Sequence, residues 1–425
     1  MNSNHDFKTL RVGMVGAGMI FQETYRPAFE RHADQPLYRR GFGPVEVKLA
    51  GIASRTGSRA AAIKAESGQR LGDFAVVAEP DAVSQLLKQD VHAVCVATPD
   101  DRHFDAACAV LQAGKHLLVE KPSVLSLAEL DTLSRLAEEK GVLAKVVYHK
   151  LLDPDHKKLR TLVADGVLSH VNNGYCSLLE PKSIASGQFS EWIEGRNPGT
   201  YVAVHYIKLI DFTFGGRLRM VTAAGQRGIV GPANGNTWDS VQLRLVYEYA
   251  SGRQAAFDIH TSWVTPDNFP GYVEQEVQFR FDNGVWNGHS RKRGVELTVE
   301  GKTPISWKTT INNHYNGTFL EPWNSRSQRG YGVEVIERFF EEVAEVEWGG
   351  PASDRPDRLR RARALAYNDI QADRQVVAAV EALEAILEKH AVGIPHAVVE
   401  VVDDVGLVLS VPGREGSTLL YEGQI

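Results

Sequence analysis

Cysteine is scarce in this chain of 425 residues: only Cys95, Cys108 and Cys176 occur. They share no CxxC spacing, so they offer neither a disulfide framework nor a zinc site, and a reducing compartment is the natural setting. No metal is expected. Nothing approaches the roughly 18 consecutive apolar residues of a membrane-spanning helix. Met1 to Leu10 is polar and charged, with no apolar core or small-residue cleavage pattern, so no signal peptide is read there. A soluble, cytoplasmic protein with no membrane partner is the expectation. A basic excess is missing too. Lys and Arg number 47 against 53 Asp and Glu, a net charge of −6, which favours no nucleic-acid partner. Internal repeats and low-complexity segments are absent. What is present is a hydrophobic fraction of 43% with 24% charged residues, enough to bury a sizeable core, in a length that fits two or three domains.

Residues 1–150 alternate strand-like and helix-like segments. Leu10–Val15, Val45–Ala53, Val91–Ala97 and His116–Glu120 read as strands. Helical patterns run over Asp101–Ala113, closed by Gly114, and over Ser126–Lys140, closed by Gly141. In the second, Ser126 and Glu129 have capping-box spacing and Leu127, Leu130, Leu133 and Leu136 form an apolar stripe. Such alternation predicts an α/β fold, a mainly parallel, doubly wound sheet covered on both faces. After a strand at Val142–Tyr148 come helices at Pro154–Asp165 and Gly199–Phe214. The strand-like runs Val241–Tyr249, Gln254–Thr261, Glu274–Phe281 and Val295–Glu300 then follow with short turns between them. Consecutive strands of this kind predict an open, mainly antiparallel sheet in an α+β domain. Helical periodicity returns over Gly332–Trp348 and Asp357–Lys389, and the tail Ile394–Leu420 reads as two or three short strands. The predicted division is 1–150, 151–393 and a β tail at 394–425.

Gly16-Ala17-Gly18 follows the first strand and opens a helical segment, with Met19 and Ile20 next. In a dinucleotide site the first glycine permits the tight turn and the second lets backbone approach the pyrophosphate at the helix N-terminus. The third fingerprint position is Phe21 rather than glycine or alanine. At the end of the second strand an NAD enzyme commonly places a carboxylate on the ribose 2′-hydroxyl; here the chain reads Ser54-Arg55-Thr56. Hydroxyls and a guanidinium suit a 2′-phosphate, so NADP is favoured, with NAD the alternative. Ala97-Thr98-Pro99, with His103 four residues on, and Glu120-Lys121-Pro122 lie at the carboxyl ends of two further strands, where ligands of open parallel sheets bind. There the Lys121 ammonium can contact the nicotinamide ribose and stabilise a developing alkoxide.

Together these three segments resemble the glucose–fructose oxidoreductase/inositol dehydrogenase (Gfo/Idh/MocA) family. The resemblance continues through Asp153-Pro154 to the helix that contains His205 and ends at Gly215, covering most of residues 8–390. It implies a Rossmann domain and a C-terminal α/β domain whose sheet often makes oligomer contacts, so a homodimer or homotetramer. It also implies NAD(P), and a sugar, inositol or related polyol as the substrate. By the same resemblance Lys121 is the active-site lysine, followed by a cis-proline, and His205 takes the position of the catalytic histidine. This chain departs from the family pattern around His205. The family's helix commonly carries an aspartate four residues before the histidine and another three after it; here those positions are Tyr201 and Lys208.

Oxidising a secondary alcohol needs a base for the hydroxyl proton while hydride leaves carbon. An ordinary histidine pKa of about 6.5 suits His205 to that task. Tyr201, one turn earlier, is placed to orient it or relay the proton, or simply to pack. Lys208 either binds an anionic substrate group or stays exposed. His149 and Lys150 follow a strand and are candidates for substrate or cofactor contact. Trp192, Arg196 and Asn197 precede the His205 helix, while His314, Tyr315, Asn316 and Trp323 to Arg326 form a second polar-aromatic group; aromatic faces with amide and guanidinium donors suit a sugar ring. Two other functions stay open. One is glycoside cleavage by transient oxidation and elimination on a tightly held NAD(P). The other is a cofactor-binding sensor without turnover.

Overall fold

A computed structural model describes residues 7–425 apart from 68–69, 79, 189–191, 231–236, 270–272, 290–294, 300–306, 312–316, 321, 323–325 and 366. The chain divides into two compact units. The first takes 1–124, 129–149 and 316–372, the second 125–128, 150–315 and 373–425.

In order, the first 150 residues form β1 (Lys8–Val15), α1 (Arg26–Asp34), β2 (Leu37–Arg39), β3 (Gly43–Ser54), α2 (Ser58–Ser67), β4 (Ala75–Ala78), α3 (Ala82–Leu87), β5 (Ala93–Val96), α4 (His103–Gln112), β6 (His116–Val119), α5 (Leu127–Lys140) and β7 (Ala144–Val146). The strands make one sheet in the order β2-β3-β1-β5-β6-β7, with β4 also pairing β3. All pairings are parallel except the short β2–β3 hairpin. This is the doubly wound arrangement expected. β5 and β6 are buried at every residue, as strands covered on both faces must be. The order reverses at β1, whose neighbours are β3 and β5, so the crevice of the fold opens at the carboxyl ends of these three strands.

The next elements are α6 (Pro154–Ala164), β8 (Val171–Pro181), α7 (Val204–Phe214), β9 (Arg217–Gln226), β10 (Ser240–Glu248), β11 (Gln254–Thr265), β12 (Glu274–Phe281) and β13 (Val285–His289). Two backbone hairpins follow, β14 (Val295–Val299) with β15 (Trp307–Ile311) and β16 (Gly317–Leu320) with β17 (Arg326–Arg329). Then come α8 (Tyr331–Trp348), α9 (Arg355–Ala364), α10 (Arg374–Ala391), β18 (Val398–Val402), β19 (Gly406–Ser410) and β20 (Ser417–Glu422). The second unit holds a nine-stranded sheet, β13-β12-β8-β11-β10-β9-β18-β19-β20. It is antiparallel except for β8 against β11. Its core is aromatic: Phe214 stacks on Phe257 with ring centroids 5.7 Å apart and meets Phe279 edge-on at 4.9 Å. Gly174 of β8 lies beneath these rings, where a Cβ would come within 2.5 Å of Phe279 and 2.7 Å of Phe257.

Three expectations are corrected. The units are not two contiguous stretches with a separate tail. Residues 316–372 return to the first unit, where Phe340 of α8 packs on Phe29 of α1 at 5.5 Å. The tail joins the second unit's sheet through β18 on β9. The helix expected over 357–389 is two helices, because the segment between them bonds back to the edge strand β7. Val146 donates its N–H to the Asn368 carbonyl at 2.8 Å, and the buried Lys145 ammonium lies 3.2 Å from Asp369 and 3.5 Å from Glu342. Finally, the helix expected over 199–214 begins with a π-helical turn, Gly199–Ala203, before α7.

Candidate active site

In the first unit the glycine loop is squeezed between strand ends. Gly16 has φ of +103°, and a Cβ on it would sit 2.3 Å from the Ala97 carbonyl oxygen, so only glycine fits. Its N–H bonds the Ala53 carbonyl at 2.8 Å, and the N–H of buried Ala97 bonds Val15 at 2.8 Å. Around Gly18 the opposite holds: nothing lies within 4 Å of where a Cβ would be. Met19 and Ile20 start the helical segment, both half-buried. Phe21, fully buried, opens a π-helical turn (Phe21–Tyr25) ahead of α1, which accommodates a large ring at the position where glycine allows closest helix packing.

Two hydroxyls at these strand ends, Ser54 Oγ and Thr98 Oγ1, are buried with no hydrogen-bond partner among the described residues. A buried hydroxyl is normally paired, so these two leave hydrogen-bonding capacity at the strand ends that a polar ligand could use. Together with the glycine loop they fit a dinucleotide. Arg55 and Thr56 are exposed just beyond β3, with Thr56 Oγ1 2.8 Å from Ser58 Oγ at the start of α2. After Thr98, Pro99 leads into a 3-10 turn, Asp100–Arg102.

Glu120 and Lys121 follow β6 directly and are 6% and 9% exposed. The Glu120 N–H bonds the Val96 carbonyl at 2.9 Å, and its carboxylate accepts from Tyr25 Oη at 3.0 Å. Burial raises the Glu120 pKa, while Lys121 opposes the shift. The Lys121–Pro122 peptide is cis. His103, read from the sequence as a cofactor contact, faces backbone here. Its ring is 1% exposed, with Nδ1 2.7 Å from the Pro122 carbonyl and Nε2 2.9 Å from the Thr98 carbonyl, so both nitrogens are engaged inside the protein. Burial lowers its pKa. His149, half-buried, has its ring 6.0 Å from that of Tyr331.

In the second unit His205 occupies the first turn of α7 and is 5% exposed. Tyr201 sits on the preceding π-helical turn, its ring 5.3 Å from Trp192 and 6.3 Å from Trp263. Trp263 Nε1 donates to Glu180 Oε2 at 2.8 Å. The sequence reading missed Trp263 and Glu180. They lie on different strands, and the pairing of β8 with β11 brings them together, with Trp263 beside Tyr201. Arg196, half-buried, follows in that loop, and its carbonyl accepts from the Trp238 N–H at 3.0 Å. Asn197 is buried and shaped for structure: its side chain accepts from the Thr200 N–H at 2.7 Å and donates to Glu384 at 2.8 Å.

Lys208 is not exposed. Its side chain is 1% exposed, with the ammonium 3.8 Å from Asp211 and 3.7 Å from Asp373. Burial pushes the Asp211 pKa up to about 6 against the pull of Lys208. Lys150 is likewise buried and donates to Gln275 Oε1. His314, Tyr315, Asn316 and Trp323 to Ser325 lie outside the described residues. Among the described residues, no group of three or more His, Cys, Asp or Glu could hold a metal ion.

The family model for the oxidoreductase family with NAD-binding Rossmann fold (Gfo/Idh/MocA) matches residues 10–148. The scyllo-inositol 2-dehydrogenase (NADP(+)) IolW of Bacillus subtilis is 30% identical over 184 residues, 43% of this chain and about half (49%) of that protein. Inositol 2-dehydrogenase of Rhodococcus jostii is 32% identical over 263 residues, 59% of this chain and 68% of that protein. Among solved structures, GenD2 from gentamicin A biosynthesis in complex with NAD shares the fold. Its TM-score is 0.64 at 22% identity, covering 93% of this chain and 97% of that one. With the dinucleotide loop, the Glu-Lys-Pro segment and a relative matched over two thirds of its length, the chain belongs to the Gfo/Idh/MocA family of oxidoreductases with an NAD-binding Rossmann fold.

Proposed function

We propose that this chain is an NAD(P)-dependent oxidoreductase acting on a secondary alcohol or ketone of a sugar, polyol or sugar derivative. The observation that carries this is the set of groups at the carboxyl ends of β1, β3, β5 and β6: Gly16 and Gly18, the two orphan hydroxyls Ser54 Oγ and Thr98 Oγ1, and Lys121. The glycine loop would hold the pyrophosphate at the helix N-terminus, and Ser54 and Thr98 would bond the nucleotide's polar groups. When bound, the nicotinamide supplies hydride exchange at its C4. Arg55, with no carboxylate at the end of β3, supports NADP over NAD, in line with the NADP in the name of the Bacillus relative.

Lys121 holds its ammonium against the substrate oxygen and stabilises the negative charge that grows there as the hydroxyl proton departs. His205 receives that proton in oxidation and returns it in reduction. Tyr201, held between Trp192 and Trp263, orients the site and presents an aromatic face to the ring. Inositol in the names of two relatives supports a polyol or sugar ring as substrate. His149, Trp192 and Arg196 are proposed to line it. The family also supports a homodimer or homotetramer, which light scattering on the purified protein counts directly.

The test is turnover of added NADP+ or NADPH across a panel of inositols, sugars, keto-sugars and glycosides, followed by nicotinamide absorbance and product analysis. Substrate-dependent redox turnover is the expected result. Aglycone release without net nicotinamide turnover would replace this reading with oxidation-assisted glycoside cleavage. Tight NADPH binding with no conversion anywhere on the panel would replace it with a sensor.

A further inference from the structure

Lys121 is bracketed on both sides by backbone anchors. On its N-terminal side, Glu120 bonds Val96 through its N–H, and its buried carboxylate takes bonds from Tyr25 Oη and from the Lys121 N–H. On its C-terminal side, the Pro122 carbonyl meets His103 Nδ1 at 2.7 Å, while the same ring's Nε2 meets the Thr98 carbonyl at 2.9 Å. His103 opens α4, and its ring turns back into the protein. It thereby joins two loops 24 residues apart in sequence, one after β5 and one after β6, that no strand pairing connects at this point. Carbonyl oxygens only accept, so hydrogen bonds at both contacts need both ring nitrogens protonated, whereas the neutral ring donates to one carbonyl and packs against the other. The neutral imidazole has one N–H and the imidazolium has two. The charged groups facing the ring are Asp100, which favours the imidazolium, and Lys121, which opposes it; burial opposes it more strongly.

We propose that His103 is a positioning residue. Its ring ties the Pro122 carbonyl to the Thr98 carbonyl and so fixes where the Lys121 ammonium stands, without touching cofactor or substrate itself. This rests on the catalytic role proposed for Lys121. The geometry carries it: a side chain with both polar atoms spent on backbone has none left for a ligand, and backbone held on both sides of a lysine restricts its ammonium more than either anchor alone. A misplacement of about 1 Å at a reacting group can cost about a hundredfold in rate.

The experiment compares His103→Leu, which removes both ring nitrogens, His103→Gln, whose amide keeps one donor group, and Lys121→Met, all as holoenzymes with NADPH. For His103→Leu the expected result is a fall in kcat of about 10- to 100-fold. KM and the NADPH dissociation constant should stay within about threefold, and His103→Gln should lie between Leu and the unaltered protein. Unchanged kcat in His103→Leu, with Lys121→Met inactive, overturns the positioning role alone. A loss of NADPH affinity as large as the loss of kcat overturns it in favour of a direct cofactor contact. Normal turnover in Lys121→Met overturns the role of Lys121 instead. The inference is then decided by crystal structures of His103→Leu or, if that variant does not fold, of His103→Gln: a displaced Lys121 ammonium supports it, and an unmoved one overturns it.

Discussion

Tyr25 Oη donates a 3.0 Å hydrogen bond to Glu120 Oε1, joining two buried side chains 95 residues apart. Burial has raised the Glu120 pKa, and the Tyr25 bond works against that shift. Removing it with Tyr25→Phe leaves a carboxylate with less compensation in a dry site and should cost about 1–3 kcal/mol of folding stability. A raised folded pKa means stability is lost as pH climbs through it, because the unfolded chain gives up its proton first. The variant raises that pKa further, so its penalty should grow from pH 5 to pH 7.5. Urea denaturation at the two pH values measures this; an equal penalty at both would place the effect in packing rather than in the carboxylate.

Asp211, with its pKa pushed to about 6 beside Lys208, offers a cleaner titration. Between the ordinary carboxylate value and about 6 the folded protein holds a proton that the unfolded chain has lost. The contribution of Asp211 is therefore fully present at low pH, declines as pH rises through this window and levels off above it. The total decline is on the order of 1–3 kcal/mol. Asp211→Asn should flatten it while leaving Lys208 paired with Asp373. The quantity to follow is the stability difference between variant and unaltered protein from pH 4 to pH 8, which should shift in favour of the variant across the window. A constant difference would mean that Asp211 titrates normally.

Arg55→Asp should weaken NADP binding by about 10- to 100-fold, the worth of a charge-assisted hydrogen bond to phosphate, while NAD affinity changes by no more than about threefold. Fluorescence titration with both reduced cofactors distinguishes the cases. Equal losses would make Arg55 a contact to a part common to both.

His205→Ala should lower turnover by about 10²–10⁴, the usual worth of a general base, and erase the acidic limb of the rate–pH profile in the oxidative direction. Tyr201→Phe should cost less. If the acidic limb survives in His205→Ala, the proton goes elsewhere, and His149 is the next residue to replace.

The β/α alternation of the first 150 residues was readable because β5 and, after His116, β6 are short apolar runs between helices closed by Gly114 and Gly141. Gly16, Lys121 and His205 were readable as motif positions. Side-chain direction was not. The spacing of His103 from Thr98 puts it near the crevice, but only the fold shows its ring set against two backbone carbonyls. Lys208 read as either a substrate contact or an exposed lysine, because its partner Asp373 is far away in sequence. The break between α9 and α10 was invisible for the same reason: apolar periodicity runs through it, and its cause is a hydrogen bond from Val146. Contacts between distant segments decided each of these positions, and a local pattern carries no record of them.

The return of residues 316–372 to the first unit has a consequence for how the protein is made. Lys145 leaves the ribosome about 200 residues ahead of Glu342 and Asp369. At synthesis rates of about 5–20 residues per second that interval lasts roughly 10–40 s. Until then the ammonium stays in water and Phe29 has no Phe340 to cover it. The nascent dinucleotide module therefore waits, incomplete, while the second unit's strands are being translated. A fragment cut after residue 150, however natural it looks as a nucleotide-binding domain, keeps that unfinished edge permanently.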